Sequence, residues 1–215
     1  MQTEHCPRCG CGLDGGSPAA GGGVDRRCER HGPVPPLRVV EHAGPAGVAR
    51  LCEAAGVPVW LPDPLPVGWL HSGGALVGTD VASAVAVAVA FAVSSPLGGA
   101  GELVLVAEEP AIGLGAALAA VPGAADPETL DIGAFTRSAP HAKITAEGRP
   151  TVLWSVPAAA DRGAYVGEAA GVLLWVIGFP EEVAYLVHED LRLSDARARP
   201  PRELPGGPPS RRLHP

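Results

Sequence analysis

The apolar residues between positions 81 and 93 alternate in size. Valine or phenylalanine stands at most odd positions, and alanine stands at every even position. A repeat of two residues is typical of a β-strand, and apolar side chains on both faces indicate a strand that is covered from both sides. A helix would instead spread the same valines around its whole axis. We therefore predict a doubly buried strand at this place.

Shorter apolar runs predict the rest of a sheet. They lie at residues 69–77, 102–107, 142–146, 151–156, 165–168, 172–177 and 191–193. Signals for helices are few: Pro45 and Gly56 bound one short helix, Asp126 begins another that reaches toward Phe135, and Pro180 opens a third. Because the connections between strands are short, the sheet should be mostly antiparallel. The predicted fold class is α+β, with an N-terminal zinc ribbon, a mostly antiparallel sheet and a few short helices.

The polar N-terminal segment contains four residues with the spacing of a metal site. Cys6 and Cys9 form one pair, and Cys28 and His31 form a second pair with the same spacing. Two such pairs close a tetrahedron around one zinc ion and leave no open position, which is typical of a structural site. Cys11 is a spare thiol and an alternative to His31. We expect structural Zn²⁺ on the two pairs, because the segment has almost no core to stabilise it otherwise.

Composition divides the chain into four parts. We predict a zinc-ribbon head at residues 1–35, a helical connector at 36–57 and an α+β domain at 58–195. Residues 196–215 are rich in arginine and proline and show no apolar periodicity. They are predicted to be a disordered tail.

Charge and length limit the classes of partner. The chain has 215 residues, 47% of them hydrophobic, and a formal net charge of -7, which opposes binding to nucleic acid by bulk electrostatics. The head is locally basic, so weak nucleic-acid binding through the ribbon is an alternative; its basic residues are Arg8, Arg26, Arg27 and Arg30. The chain shows neither a secretory signal nor an apolar run of about 20 residues that would span a membrane. Reduced cysteines suit the cytoplasm, so we expect a soluble cytoplasmic protein without a membrane partner.

Candidate catalytic groups are sparse. His141 and Lys143 stand two residues apart on one face of a predicted strand, a potential general base beside a cation, with Glu168 or Glu102 as an orienting carboxylate. The glycines near 98–101 and 113–115 lack the context of a phosphate loop or a dinucleotide fingerprint and are interpreted as tight turns. Glu108 and its neighbour Glu109 are interpreted as a solvated strand end.

Several motifs together resemble one known family. They are Cys6-Pro-Arg-Cys-Gly, Cys28-Glu-Arg-His-Gly, Pro64-Leu-Pro-Val-Gly-Trp, Pro96-Leu-Gly-Gly, Glu102-Leu-Val-Leu-Val-Ala-Glu-Glu-Pro, Pro140-His-Ala-Lys and Gly167-Glu-Ala. The set is similar to a domain-of-unknown-function family of high-GC Gram-positive (actinobacterial) bacteria with an N-terminal zinc ribbon. Members sometimes carry the label phosphotransacetylase, which would imply binding of coenzyme A and phosphate. The predicted core offers few basic residues for those anions.

We therefore expect a non-enzymatic protein-interaction or regulatory module whose partner is another protein. An acyl- or phosphoryl-transfer enzyme that uses a pocket at His141 and Lys143 is the alternative from a different class. The two hypotheses differ in whether these side chains and a glutamate converge in a concave site.

Overall fold

A computed structural model describes residues 4–13, 26–78, 83–123, 133 and 137–215. The strands are β1 (Arg27–Cys28), β2 (Gly32–Pro33), β3 (Leu37–Val40), β4 (Trp60–Pro62), β5 (Leu70–Val77), β6 (Ala86–Ser94), β7 (Ala100–Glu108), β8 (Ala142–Ala146), β9 (Arg149–Val156), β10 (Gly163–Ala169), β11 (Val172–Phe179) and β12 (Arg192–Asp195). The helices are α1 (Pro45–Ala54), α2 (Leu114–Ala119) and a 3₁₀ helix (Glu181–His188). In the described part of the chain, no helix has the length and apolar character needed to cross a membrane.

Ten of these strands form one sheet in the order β3-β5-β6-β7-β11-β10-β9-β8-β12-β4. Neighbouring strands are antiparallel, with the exception of the short parallel pairing of β12 with β8. The two remaining strands, β1 and β2, form a small hairpin in the head. The predicted α+β class, with a mostly antiparallel sheet, a ribbon-like head and few short helices, is confirmed.

The alternation in β6 separates two cores. Val87, Val89 and Phe91 belong to a core that also contains residues of α1, β4 and the 3₁₀ helix. The alanines between them, among them Ala88 and Ala90, belong to a second core on the other face of the sheet, beneath α2. The large side chains thus fill one space and the small ones allow close packing in the other. The doubly buried strand is confirmed, although it begins at Ala86.

Three predicted helices have different outcomes. The first is α1, in which Val48 and Leu51 are buried and Pro45 occupies the first turn. The third follows Pro180 and is a 3₁₀ helix, packed against β11 and β10 through a buried stripe that includes Val183 and Val187. The second prediction, at residues 126–135, lies outside the described residues apart from residue 133.

The segment after β7 differs from the prediction. Residues 113–115, interpreted as a tight turn, lead into α2, and Glu108 is 1% exposed instead of solvated. Its carboxylate accepts hydrogen bonds from the backbone N–H groups of Leu114 at 2.7 Å and Gly115 at 3.3 Å. The first N–H groups of a helix have no partner within the helix, so a buried acceptor satisfies them. A Cβ at Gly115 would lie 2.3 Å from the ring of Trp175, which shows how closely α2 packs on β11.

The segment predicted as a disordered tail contacts the sheet in the structure. Residues 196–215 follow the sheet from one core to the other: Leu204 is part of the first core, and Leu213, 1% exposed, is part of the second. The order of this segment could not be predicted from its composition. A proline-rich segment can be held by isolated apolar side chains and by hydrogen bonds to a neighbouring strand, and neither produces a periodic pattern.

Candidate metal centre

The head presents its four predicted ligands on two similar turns. In the first turn the N–H of Gly10 donates to the carbonyl of Cys6 at 2.9 Å, and Gly10 has a φ of +68°. The second turn is the β1–β2 hairpin, where Cys28 pairs with Gly32, whose φ is +67°. Each ligand pair is therefore followed by a glycine in the left-handed region, which lets the chain turn sharply after it. We call these two turns the first and second knuckle.

The two knuckles bring the four ligands together. The ligand atoms of Cys6, Cys9, Cys28 and His31 all lie within 4.8 Å of one another. The Nδ1 atom of His31 lies 3.3 Å from the Sγ of Cys6 and 3.5 Å from the Sγ of Cys28. The sulfur atoms of Cys9 and Cys28 are 3.7 Å apart, and all the cysteines are free thiols. The cluster can therefore hold a metal ion.

Two of the four ligands are shielded from solvent. Cys6 is 0% exposed and Cys28 is 2% exposed, and the two pack with the buried Val34 in one small apolar cluster. Burial raises the pKa of the Cys6 thiol to about 12, although a hydrogen bond with the backbone of Arg8 acts in the opposite direction. Burying several thiolates without a cation is unfavourable, and a coordinated metal removes that cost. Cys11 is exposed and lies outside the cluster.

The basic residues of the head are partly used within the protein. Arg8 lies between the two cysteines of the first knuckle, and its guanidinium donates to the carbonyls of Ala111, at 2.9 Å, and Ile112, at 3.2 Å. Arg26 forms an ion pair with Glu4. Arg27 and Arg30 are exposed. Because two of the four guanidinium groups already have partners in the protein, the head has fewer of them available for phosphate than its sequence indicates.

One family of known proteins matches almost the whole chain. The model of a family of unknown function, DUF6758, matches residues 1–213. The chain belongs to the DUF6758 family. No curated protein and no solved structure matches it. The DUF6758 match includes the four ligands as well as the sheet, so head and sheet belong to one family unit.

The structure of this DUF6758 chain separates Glu102 from the other candidate catalytic residues. His141 precedes β8 and Lys143 lies in it, and both are exposed; the Nδ1 of His141 accepts the N–H of Ser155 at 3.1 Å. Glu168 lies on β10, two strands from β8, and is also exposed. Glu102 lies on β7, four strands from β8, which is about 19 Å at the usual strand spacing. The structure keeps His141 near Lys143 but does not bring Glu102 to them.

Three cavities adjoin along the β4–β12 side of the DUF6758 sheet. Their volumes are about 400, 620 and 460 Å³. Glu147 lines the first and second, Asp63 lines the first and third, and Glu168 lines the second. His141 and Lys143 line none of the three. These three cavities are therefore separate from the predicted catalytic pair, His141 and Lys143.

Sequence reasoning missed two residues that position parts of the DUF6758 chain. Arg8 fixes the first knuckle to the loop before α2, and the buried carboxylate of Glu108 holds the start of α2. The place of Arg8 between two ligands was a visible signal. Glu108 gave no signal, because a glutamate at the end of a strand followed by Glu109 and Pro110 is the ordinary pattern of an exposed strand end.

Proposed function

We propose that the head binds one Zn²⁺ ion as a structural site and that the protein is a non-enzymatic interaction or regulatory module of the cytoplasm. The observation that carries the first part is the close cluster of three thiols and one imidazole in the two knuckles. The donor set is that of structural zinc sites, which use cysteine and histidine with four protein ligands.

The size of the cluster supports zinc. A tetrahedral site with Zn–S of about 2.3 Å and Zn–N of about 2.0 Å has sulfur–sulfur edges of about 3.8 Å and sulfur–nitrogen edges of about 3.5 Å. The corresponding distances are 3.7 Å between Cys9 and Cys28, and 3.3 and 3.5 Å from His31 to Cys6 and Cys28. These three separations are close to the edges of a zinc site, and the other ligand atoms lie within 4.8 Å of one another.

The second part of the proposal, a non-enzymatic role, rests on the arrangement of the metal cluster and of the predicted catalytic pair. Four protein ligands leave no position for substrate on the metal. His141 and Lys143 lie on the exposed surface, apart from the cavities of the β4–β12 side. The arrangement supports a role in which the metal shapes a surface instead of activating a substrate.

Metal analysis of matched cysteine variants tests the zinc proposal. The intact chain, purified from zinc-replete cells, should contain about one zinc per molecule. Cys9→Ser and Cys28→Ser each remove a ligand and should lower the zinc content at least tenfold, because a structural site needs all four donors. Cys11→Ser and Cys52→Ser remove thiols outside the cluster and should keep full zinc content. Zinc below a tenth of an equivalent in the intact chain would contradict the proposal.

The same variants test the role as an interaction module. Tagged full-length chains are expressed in cells and the co-purifying proteins are compared. A partner that binds the intact chain and Cys52→Ser, but not Cys28→Ser, would support a surface shaped by the metal. An identical set of co-purifying proteins for all three chains would contradict a role of the head in partner binding.

A further inference from the structure

The last residues of the chain form a strap across the sheet. We call residues 204–215 the C-terminal strap. It begins at Leu204 in the first core and enters the second core at Leu213, so it passes from one face of the sheet to the other. A segment that crosses between two cores has to be held at both ends, and the structure shows how each end is held.

The first half of the strap is hydrogen-bonded to two residues of β5, His71 and Ser72. The N–H of His71 donates to the carbonyl of Pro205, and the N–H of Gly207 donates to the carbonyl of His71, both at 2.8 Å. The N–H of Ser210 donates to the carbonyl of Ser72 at 2.9 Å. His71 and Ser72 are both buried. These bonds belong to the sheet and do not involve the head.

The second half of the strap packs on side chains. The guanidinium of Arg212 lies 4.8 Å from the centre of the Phe179 ring and 3.3 Å from the carboxylate of Asp161. Ser210 donates its hydroxyl to Glu102. Leu213 follows and is almost completely buried. Arg211 and Arg212 are exposed, so a protease that recognises arginine can reach their side chains once the backbone is released.

The strap ends on the first knuckle of the head. The ring of His214 contacts the ring of His5 edge to face, with the ring centres 5.0 Å apart. A Cβ at Gly10 would lie 2.5 Å from the carbonyl oxygen of Pro215, so the end of the strap rests directly on the turn between Cys6 and Cys11. The turn itself is held by the ligands Cys6 and Cys9 and by Arg8, which donates to the loop before α2.

We propose that the metal centre acts as a clasp for the C-terminal strap. With metal bound, the first knuckle has the fixed shape on which residues 213–215 rest; without metal, the knuckle loses this shape and the end of the strap detaches. The first half of the strap stays bound to β5, because its hydrogen bonds are made by the sheet. Metal occupancy thus controls the accessibility of the chain at Arg211 and Arg212 and of the apolar site that Leu213 fills. The inference rests on the proposed metal binding.

Limited proteolysis of the full-length chain tests the clasp. The zinc-loaded chain and the same chain after chelation are treated with a low concentration of trypsin, and cleavage after Arg211 and Arg212 is followed by mass spectrometry. Proteolysis under these conditions reports the population of the open segment. We expect metal removal to raise the initial rate at least tenfold, while the amides of β6 and β7 keep their protection from hydrogen exchange.

The metal content of the same samples shows whether a negative result concerns the clasp alone or the metal site as well. A zinc-loaded chain that is cleaved as fast as the chelated chain would overturn the clasp and leave the structural zinc site intact. A purified chain that binds no zinc would overturn the proposed metal site and the clasp with it.

Two glycine variants test the clasp without removing metal. Gly10→Ala and Gly32→Ala place a Cβ at equivalent positions of the two knuckles, with φ values of +68° and +67°. The backbone strain is therefore matched, but the new methyl group collides with Pro215 only at position 10; at position 32 nothing lies within 4 Å. In the zinc-loaded state, Gly10→Ala should be cleaved after Arg212 at least fivefold faster than Gly32→Ala. Equal rates in two variants of equal zinc content would overturn the clasp, even if chelation unfolds the whole chain.

Discussion

Glu108 and His71 are the two buried titratable side chains of the sheet with strongly shifted pKa values. Burial raises the pKa of Glu108 to about 7, even though backbone N–H groups of the α2 start donate to its carboxylate. Burial lowers the pKa of His71 to about 4. The Nδ1 of His71 accepts the N–H of Gly44 at 2.9 Å, while its Nε2 is buried without a hydrogen-bond partner among the described residues. Both groups are therefore favoured in their neutral forms by folding.

The two residues affect stability in opposite directions as pH changes. The folded chain holds a proton on Glu108 between about pH 4.5 and 7, where the unfolded chain has lost it, so this contribution to the free energy of unfolding falls as pH rises. The unfolded chain protonates His71 between about pH 6.5 and 4, where the folded chain does not, so this contribution rises with pH. Each shift corresponds to about 3 kcal/mol. The two contributions nearly cancel between pH 4.5 and 6.5.

Single variants should reveal how each residue makes the free energy of unfolding depend on pH. Relative to the unmodified chain, Glu108→Gln should gain about 3 kcal/mol of unfolding free energy as pH rises from 4.5 to 7. His71→Asn keeps an acceptor for Gly44 but does not titrate, and should lose a similar amount over the same range. Urea denaturation at several pH values measures both. Because each variant is compared with the intact chain, the titration of the metal site cancels. Differences that stay constant with pH would contradict the assignment.

At the scale of the element, β6 has no exposed face along most of its length. Ala86, Ala88 and Ala90 are each 0% exposed, as tightly enclosed as the larger residues on the opposite face. Valine has a higher intrinsic preference for strands than alanine. Replacing an alanine of this face by valine therefore distinguishes the two effects. Strand preference would raise the stability of the chain, whereas overpacking would lower it.

Ala88→Val should destabilise the chain by about 1–3 kcal/mol, because two extra methyl groups do not fit the closed space on the α2 side of the sheet. Ala92→Val is the matched control on the same face of β6, where the alanine is half-buried; we expect a change within about 0.5 kcal/mol. Chemical denaturation measures both. A stabilising effect of Ala88→Val would show that this face is open, contrary to the two-core arrangement.

Elements with a strong local pattern were predictable from the sequence. The strands β5–β11 follow alternation or short apolar runs between turn residues, and the run at 142–146 coincides with β8. The metal cluster was predictable for a related reason, because the ligand spacing is local within each knuckle. By contrast, α2 consists of leucine, glycine and alanine between glycine-rich neighbours, and its start is stabilised by Glu108 from another element. A local sequence pattern cannot predict a contact of this kind between a strand residue and the start of a helix.

At the scale of the whole molecule, the C-terminal strap connects parts of the chain that are far apart in sequence. Leu204 and Leu213 are buried in different cores, and the segment between them is hydrogen-bonded to β5. The sequence indicated disorder because proline, glycine and arginine dominate this segment. The anchors that order it are single side chains, whose burial depends on cavities formed elsewhere in the fold.

Leu213→Ala should lower the free energy of unfolding by about 2–5 kcal/mol, the usual cost of truncating a buried leucine. Arg211→Ala changes an exposed neighbour in the same segment and should alter stability by less than about 0.5 kcal/mol. Thermal or urea denaturation of the zinc-loaded chains gives both values. If Leu213→Ala proved as neutral as Arg211→Ala, the strap would not be part of the folded core.

The enclosure of both faces of β6 also restricts how the chain can change over evolutionary time. A strand with one solvated face accepts polar replacements at every second position, but most positions of β6 offer no such freedom. Tolerated replacements in this region should concentrate in the turn that joins β6 to β7, where Leu97 is 81% exposed. A saturation mutagenesis map of the hairpin would then show one continuous intolerant block with a permissive tip, in place of the alternating tolerance of a surface strand.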